Sequence, residues 1–339
     1  MTEQSAQAPI WSSPDIKVTR SDLEIDAQTQ TKQICAFIQS CLIGVLKKRG
    51  VVIGLSGGID SSVTASLCVR ALGPQRVFGI LMPERHSCHD SSSLGQIMAD
   101  HLRIRTVTHN ITPVLDAAGC YVFQNEAIRA VVPSFQPGCP FKIVLPKVGE
   151  GYRVYQLVVQ MPDGSTVKER MSHEAYLQLV AATNFKQRSR KMIEYYHADR
   201  LNYAVAGSPN RLEYDQGFFV KNGDGSADFK PIAHLYKTQV YQLAEHLGVP
   251  RQISEKTPTT DTYPMEQTQE EFYFSLPYYH MDLCLYAKNS GFSPESVCHA
   301  TGLSLKQAQA VFADIDSKRS STRYGHLKPL LAQRVEEIE

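Results

Sequence analysis

Val51-Val52-Ile53-Gly54-Leu55-Ser56-Gly57-Gly58-Ile59-Asp60-Ser61-Ser62 joins a short apolar run to paired glycines, then to a polar cluster that opens an apolar stretch from Val63 to Leu72. This order predicts a buried parallel strand over 51–56, a tight turn, and a helix over 60–72. Paired glycines let a backbone approach a ligand closely and adopt positive φ at little cost. Free N–H groups at a helix start, with the positive end of its dipole, make a place for an anion. The hydroxyls of Ser56, Ser61 and Ser62 add donors. Asp60 sets a carboxylate beside that anion, and two negative groups tolerate such proximity with a divalent cation between them, which points to magnesium. The lysine of a Walker loop is missing at its required spacing, and so is the Gly-x-Gly-x-x-Gly pattern.

Outward from this stretch, Gly73-Pro74 ends the helix. Val77 to Leu81 reads as a second strand, Asp90 to Leu102 as a helix, Ile104 to Val107 as a third strand and Tyr203 to Ala206 as a fourth. Strand and helix alternate, which predicts an α/β protein with a doubly wound parallel sheet. Ligands of such sheets sit beyond the C-terminal strand ends, where Met82 to Ser87 and Gly207 to Glu213 fall. Upstream, apolar positions from Leu23 to Leu46 recur at helical spacing and predict one long helix; residues 1–20 read as a flexible N-terminal arm. Residues 131–175 break the rhythm. Phe141–Leu145, Tyr152–Val159 and Ser165–Arg170, with a turn at Met161-Pro162-Asp163-Gly164, predict an inserted β-hairpin element in a single domain spanning 21–339. Ala175 to Arg200 is helical and carries Lys186, Arg188, Arg190 and Lys191. His234 to Leu247 is an amphipathic helix, and the C-terminal third is helical.

Lys plus Arg number 35 and Asp plus Glu 34, a net charge of +1. That balance gives no electrostatic reason for a nucleic acid or an acidic membrane as partner. No apolar run approaches the roughly twenty residues of a membrane span, and the first twenty residues lack the apolar segment of a signal peptide. The eight cysteines are scattered, without a Cys-x-x-Cys pair. They read as reduced thiols of a cytoplasmic protein. His86, His89 and Asp90 cluster in sequence but lack a further ligand at metal-binding spacing.

The Ser-Gly-Gly-x-Asp-Ser loop resembles that of the N-type ATP pyrophosphatases, which cleave ATP between the α and β phosphates. Ser56–Ser62, Asn184–Met192, Gly207–Glu213, Phe218–Asp228, Leu235–Val240 and Lys256–Asp261 then follow in the order seen in the NAD synthases. The resemblance runs over roughly 22–320 and skips 131–175. It implies an adenine-nucleotide α-hydrolase-like (Rossmann-like) fold and a homodimer. The implied reaction is the ATP-dependent amidation of deamido-NAD through an adenylated carboxylate, with AMP and pyrophosphate released. ATP is expected along Gly54, Leu55, Ser56, Gly57, Gly58, Ile59, Asp60 and Ser61, with further contacts from Ser208, Lys237 and Thr259. The resemblance places magnesium on Asp60 and Glu213, deamido-NAD on Arg188, Lys221, Asp228 and Lys318, and the catalytic charge on Asp60, Glu213 and Lys237. Ser208 stands where the family has threonine, and Ser317 where it has histidine. Glutamine-dependent members carry a long N-terminal glutaminase-like domain, and only about fifty residues precede the first strand here. Ammonia is therefore the expected nitrogen donor, supplied free or by a separate glutaminase. Two other readings stay open at this point: a related adenylating amide ligase with another carboxylate substrate, and a non-catalytic nucleotide sensor.

Overall fold

The computed structural model describes residues 17–87, 89–145, 155–257, 259 and 262–338, with the backbone alone at 89–91. Residues 1–16 of the expected arm, Pro258, Thr260 and Asp261 of the last ATP motif, and the side chains of His89 and Asp90 lie outside the described residues.

Seven strands run through the described residues: β1 (Val51–Gly54), β2 (Val77–Leu81), β3 (Arg105–Thr108), β4 (Phe141–Val144), β5 (Gln156–Gln160), β6 (Thr166–Arg170) and β7 (Ala204–Val205). β3, β2, β1 and β7 form one parallel sheet in that order, with Val51 level with Val77 and with Ala204. The inner strands are apolar and buried, as a parallel sheet covered on both faces requires. The helices are α1 (Ala27–Ser40), α2 (Ile59–Leu72), α3 (His89–Leu102), α4 (Thr112–Ala117), α5 (Cys120–Val131), α6 (His173–Leu201), α7 (Arg211–Gln216), α8 (Lys237–His246), α9 (Arg251–Ser254), α10 (Tyr278–Asn289), α11 (Cys298–Thr301) and α12 (Leu305–His326).

Side chains alternate along β1 and so reach both layers. Val51 and Ile53 pack with Ile38 of α1, Leu67 of α2, Met98 of α3 and Leu243 of α8. Val52 packs on the opposite face with Ile80, Val205 and Ala198 of α6. Each fully buried aliphatic side chain of this kind contributes about 1.5–3 kcal/mol. The sheet is doubly wound, and the chain leaves β1 toward β2 on one side and returns as β7 on the other. The C-terminal ends of β1 and β7 therefore flank the crevice where such folds take ligands.

β4, β5 and β6 form a separate antiparallel sheet, with Phe141 opposite Val159 and Ile143 opposite Leu157. Its inward side chains pack on Ile128 of α5 and Leu179 of α6. Each of the three runs read between 141 and 170 contains a strand, with 152–154 of the second outside the described residues, so the element has one strand more than a hairpin. A further core joins Leu283 and Leu285 of α10 to Val311 and Ile315 of α12.

Two local expectations differ from the structure. The expected long helix over 21–48 is broken. Asp26 caps α1 by accepting from Gln28 N and Thr29 N, after which Cys41–Leu46 form a π-helical turn closed by Lys47 at φ 52°. β1 stops at Gly54, although Leu55 N still donates to Ile80 O at 2.8 Å, because Gly57 turns the chain at φ 74°. The six-residue α7 begins where a helix start was expected beside Glu213, and Asn210 caps it.

Candidate active site

Gly57 is the turn residue between β1 and α2, and its positive φ explains the glycine. At Gly54 a Cβ would stand 2.9 Å from Glu194 Oε1, so a side chain there would have to displace that buried carboxylate. Ser56 Oγ lies 3.1 Å from Ser61 Oγ and accepts from Gly58 N at 3.2 Å, which holds the loop open. No side chain caps the start of α2, so its first N–H groups face the crevice without an intrahelical partner. Gly54 through Ser61 line a cavity of about 450 Å³. Ser208, Glu213, Lys237 and Thr259 line the same cavity from β7, α7, α8 and the segment after α9.

Three charges gather at one end. Lys237 Nζ, 1% exposed, donates to Asp60 Oδ2 across 177 residues of chain. Asp60 Oδ1 accepts from Asn210 Nδ2 at 3.1 Å. Asn210 also forms a capping box with Glu213: Asn210 Oδ1 accepts from Glu213 N, and Glu213 Oε2 accepts from Asn210 N, each at 3.2 Å. Glu213 Oε1 accepts from Gln269 Nε2 at 3.2 Å. Desolvation and the neighbouring Asp60 carboxylate push Glu213 well above the usual carboxylate range, and Lys237 opposes them. Burial alone would lower Lys237, but Asp60 and Glu213 outweigh it and raise the ammonium above its ordinary value. Asp282 accepts from Lys237 N and Thr238 N and fixes the start of α8. The four carboxylate oxygens of Asp60 and Glu213 each accept one hydrogen bond and keep lone pairs. Such a donor set suits magnesium, which takes one or two protein carboxylates and completes its shell with phosphate and water. Among the described residues no group of three or more His, Cys, Asp or Glu side chains is placed to hold a metal ion.

A second buried cluster bounds the cavity on the β2 side. Lys186 Nζ donates to Glu84 Oε1 at 2.8 Å, and the two side chains are 1% and 0% exposed. It also contacts His86 Nδ1 at 3.1 Å and Thr262 O at 2.7 Å. Tyr121 OH donates to Glu84 Oε2 at 2.7 Å. Burial, reinforced by the Lys186 charge, pulls His86 down to about 4. His86 is thus neutral in the folded protein and protonates near 6.5 when unfolded. Stability from this group is complete above about 6.5 and is lost as pH falls toward about 4, up to roughly 3 kcal/mol. His86→Gln is expected to flatten that limb: urea midpoints of the variant should fall less than wild type between about pH 6.5 and 4. Parallel pH profiles would contradict this assignment.

Aromatic rings close the same side. Tyr155, at the start of β5, stacks on Tyr176 of α6 at 4.2 Å and 12°, and Tyr263 packs on Phe141 and Phe272. Tyr155, Tyr176, Tyr263 and Phe272 all line the cavity.

The structure thus gathers every residue expected at ATP or metal. The four expected deamido-NAD residues are not among the cavity-lining side chains. Arg188 Nε donates to Lys221 O at 3.3 Å, and Lys221 Nζ donates to Tyr324 O at 2.9 Å, so these two adjoin each other. Asp228 Oδ2 accepts from Val205 N at 2.7 Å and secures the end of β7. Lys318 Nζ donates to Tyr273 O at 2.8 Å and pairs with Asp314, which fixes a wall residue from behind. Asn210, Glu84, Lys186 and the tyrosine wall escaped the sequence. Only Asn210 carried a signal, the Asn-x-x-Glu capping pattern of residues 210–213.

The NAD synthase family profile matches residues 30–132 and 152–324. An NH(3)-dependent NAD(+) synthetase of Rhizobium meliloti (strain 1021) is 56% identical over 319 residues, 94% of this chain and 95% of that protein. Another, of Thermotoga maritima, is 36% identical over 73% of this chain and 83% of its own. Among solved structures, the NH3-dependent NAD synthetase of Campylobacter jejuni superposes with a TM-score of 0.61 at 23% identity, covering 91% of this chain and all of that one. The NMN synthetase of Francisella tularensis gives 0.62 at 24%, covering 92% and all of its own chain. At those identities the structures speak for the fold alone. The profile spans the glycine loop, Glu213 and Lys237, the groups that meet in the crevice, and on that match the chain belongs to the NAD synthase family.

Proposed function

We propose that this protein is an ammonia-dependent NAD synthase that adenylates the nicotinate carboxylate of deamido-NAD with ATP and then aminates it. The observation that carries the reading is the meeting of the glycine loop with Asp60, Glu213 and Lys237 in one cavity of a family member. A carboxylate is a poor electrophile, and joining it to AMP supplies a leaving group. The substrate oxygen attacks the α-phosphorus, and pyrophosphate departs. Two anions approach each other in that step, so positive charge is the main requirement. Lys237 supplies it as an ammonium held in place by Asp60. The glycine loop and the uncapped first turn of α2 line the place given to the departing phosphates. Magnesium, held by Asp60 and Glu213, would neutralise phosphate charge when bound. Ammonia then attacks the acyl carbon, and AMP leaves with the bridging oxygen.

Deamido-NAD is assigned to the β7 side, where Arg188 and Lys221 adjoin, with Asp228 holding the β7 end and Lys318 acting through Tyr273. Residues 21–339 are taken as one domain with 131–175 as its insertion. Exposed Val122 and Phe123 on α5 and Leu177, Met192 and Tyr196 on α6 support a homodimer through those helices. The seven described cysteines are free, which supports a reducing, cytoplasmic setting. No described helix is long and apolar enough to cross a membrane.

The nitrogen donor is read directly by a product assay with deamido-NAD, ATP and magnesium. Ammonium alone is expected to yield NAD, AMP and pyrophosphate. NAD from glutamine but not from ammonium would overturn the donor. ATP cleavage without NAD would overturn the acid substrate. A need for an added glutaminase at low ammonium would identify that enzyme as a partner.

A further inference from the structure

Lys186 is among the most buried large side chains of the molecule, and the chemistry above does not use it. An ammonium has three donors and no acceptor. Here all three are engaged, by Glu84 Oε1 at 2.8 Å, His86 Nδ1 at 3.1 Å and Thr262 O at 2.7 Å. Lys186 therefore presents no spare N–H to a phosphate. Its partners come from separate parts of the chain: Glu84 and His86 follow β2, Thr262 lies beyond α9, and Lys186 itself is in the middle of α6. Glu84 is held in turn by Tyr121 OH of α5 at 2.7 Å and by His86 N at 2.9 Å. The immediate neighbours of these residues, Pro83, Gln187 and Tyr263, all line the cavity.

A buried ion pair is a weak source of net stability, but it specifies one arrangement of the elements it joins, because displacing either partner strands a charge. We infer that Lys186 and Glu84 form an internal latch that sets the β2-side wall of the cavity, and that they are positioning residues for the base and ribose of ATP. The inference rests on ATP as the ligand of the cavity. The direction follows from the layout. Phosphates belong at the glycine loop, the Asp60–Lys237 pair lies toward α8, and Arg188 and Lys221 adjoin each other away from the cavity lining. Of the remaining lining, the wall of Pro83, Tyr155, Tyr176 and Tyr263 is the part that adjoins the latch, and it is assigned to the nucleoside.

The test uses the full chain. Glu84→Gln/Lys186→Met removes both charges together, so neither is stranded, and the introduced amide oxygen still accepts from Tyr121 OH and His86 N. The expected result is a KM for ATP raised about tenfold or more, with kcat and the KM for deamido-NAD within about threefold of wild type. Binding of a non-cleavable ATP analogue, measured by calorimetry, should weaken by the same factor. A kcat loss of about a hundredfold with KM for ATP unchanged would make Lys186 a catalytic group and overturn the inference. Unchanged kinetics and binding would overturn it as well. Tyr121→Phe deletes one hydroxyl and keeps the packing. It covers the case in which the double variant does not fold, and is expected to raise KM for ATP about threefold at unchanged kcat. No rise there would count against the latch. If wild type itself neither binds the analogue nor cleaves ATP, the ATP reading fails. If wild type does both and the variants match it, the latch alone fails.

Discussion

Asp60→Asn is expected to lower kcat by about a thousandfold or more while leaving the fold intact. The amide matches the carboxylate in shape and keeps an acceptor for Lys237 Nζ, but it carries no charge. Asp60 meets three demands at once: it fixes the Lys237 ammonium, accepts from Asn210 Nδ2, and offers a hard oxygen beside the loop. The amide meets the first two in part and the third poorly. Pyrophosphate release followed in real time, with circular dichroism as the folding control, checks this. Turnover within about tenfold of wild type would mean that Asp60 only supports the lysine. Asp60→Ala is expected to be worse folded, because it leaves an ammonium 1% exposed without its partner.

Lys237→Met should be nearly as damaging, by about a hundredfold to ten-thousandfold in kcat, for the opposite reason. Without the ammonium, Asp60 and Glu213 face each other and the phosphates with no fixed positive charge. Raising the magnesium concentration is expected to restore part of the lost rate in Lys237→Met and none in Asp60→Asn. Equal magnesium dependence in the two variants would contradict the separate roles. Lys237→Arg is not expected to rescue, since the planar guanidinium does not fit the small space shared with Asp60 and the Tyr278 ring, whose centroid lies 5.4 Å from Nζ.

The loop at 51–62 was legible because its determinants are local. Continuous burial of Val51, Val52 and Ile53 on the two faces of the sheet, the positive φ of Gly57 and the uncapped start of α2 are all set within a dozen residues. Glu213 closes a capping box at the start of α7 and lines the cavity, so its local sequence signal is that of a helix-start carboxylate whether or not it also holds a metal. The Lys186–Glu84 pair was illegible because its members lie 102 residues apart, and Lys186 sits in a basic run that reads as a solvated face. The tyrosine wall was hidden for the same reason: Tyr155 and Tyr176 meet only once β5 packs on α6. Helix α1 starts only at Ala27, where Asp26 caps it, and continues past Ser40 as a π-helical turn that the apolar spacing of 34–46 does not distinguish from α-helix.

Transfer of AMP to the substrate carboxylate can be followed with deamido-NAD labelled with oxygen-18 in that carboxylate. Attack on the α-phosphorus makes one labelled oxygen the bridge, and attack by ammonia leaves that oxygen on AMP. One labelled oxygen is expected in the AMP released with each NAD. Unlabelled AMP, or label in pyrophosphate or inorganic phosphate, would contradict it.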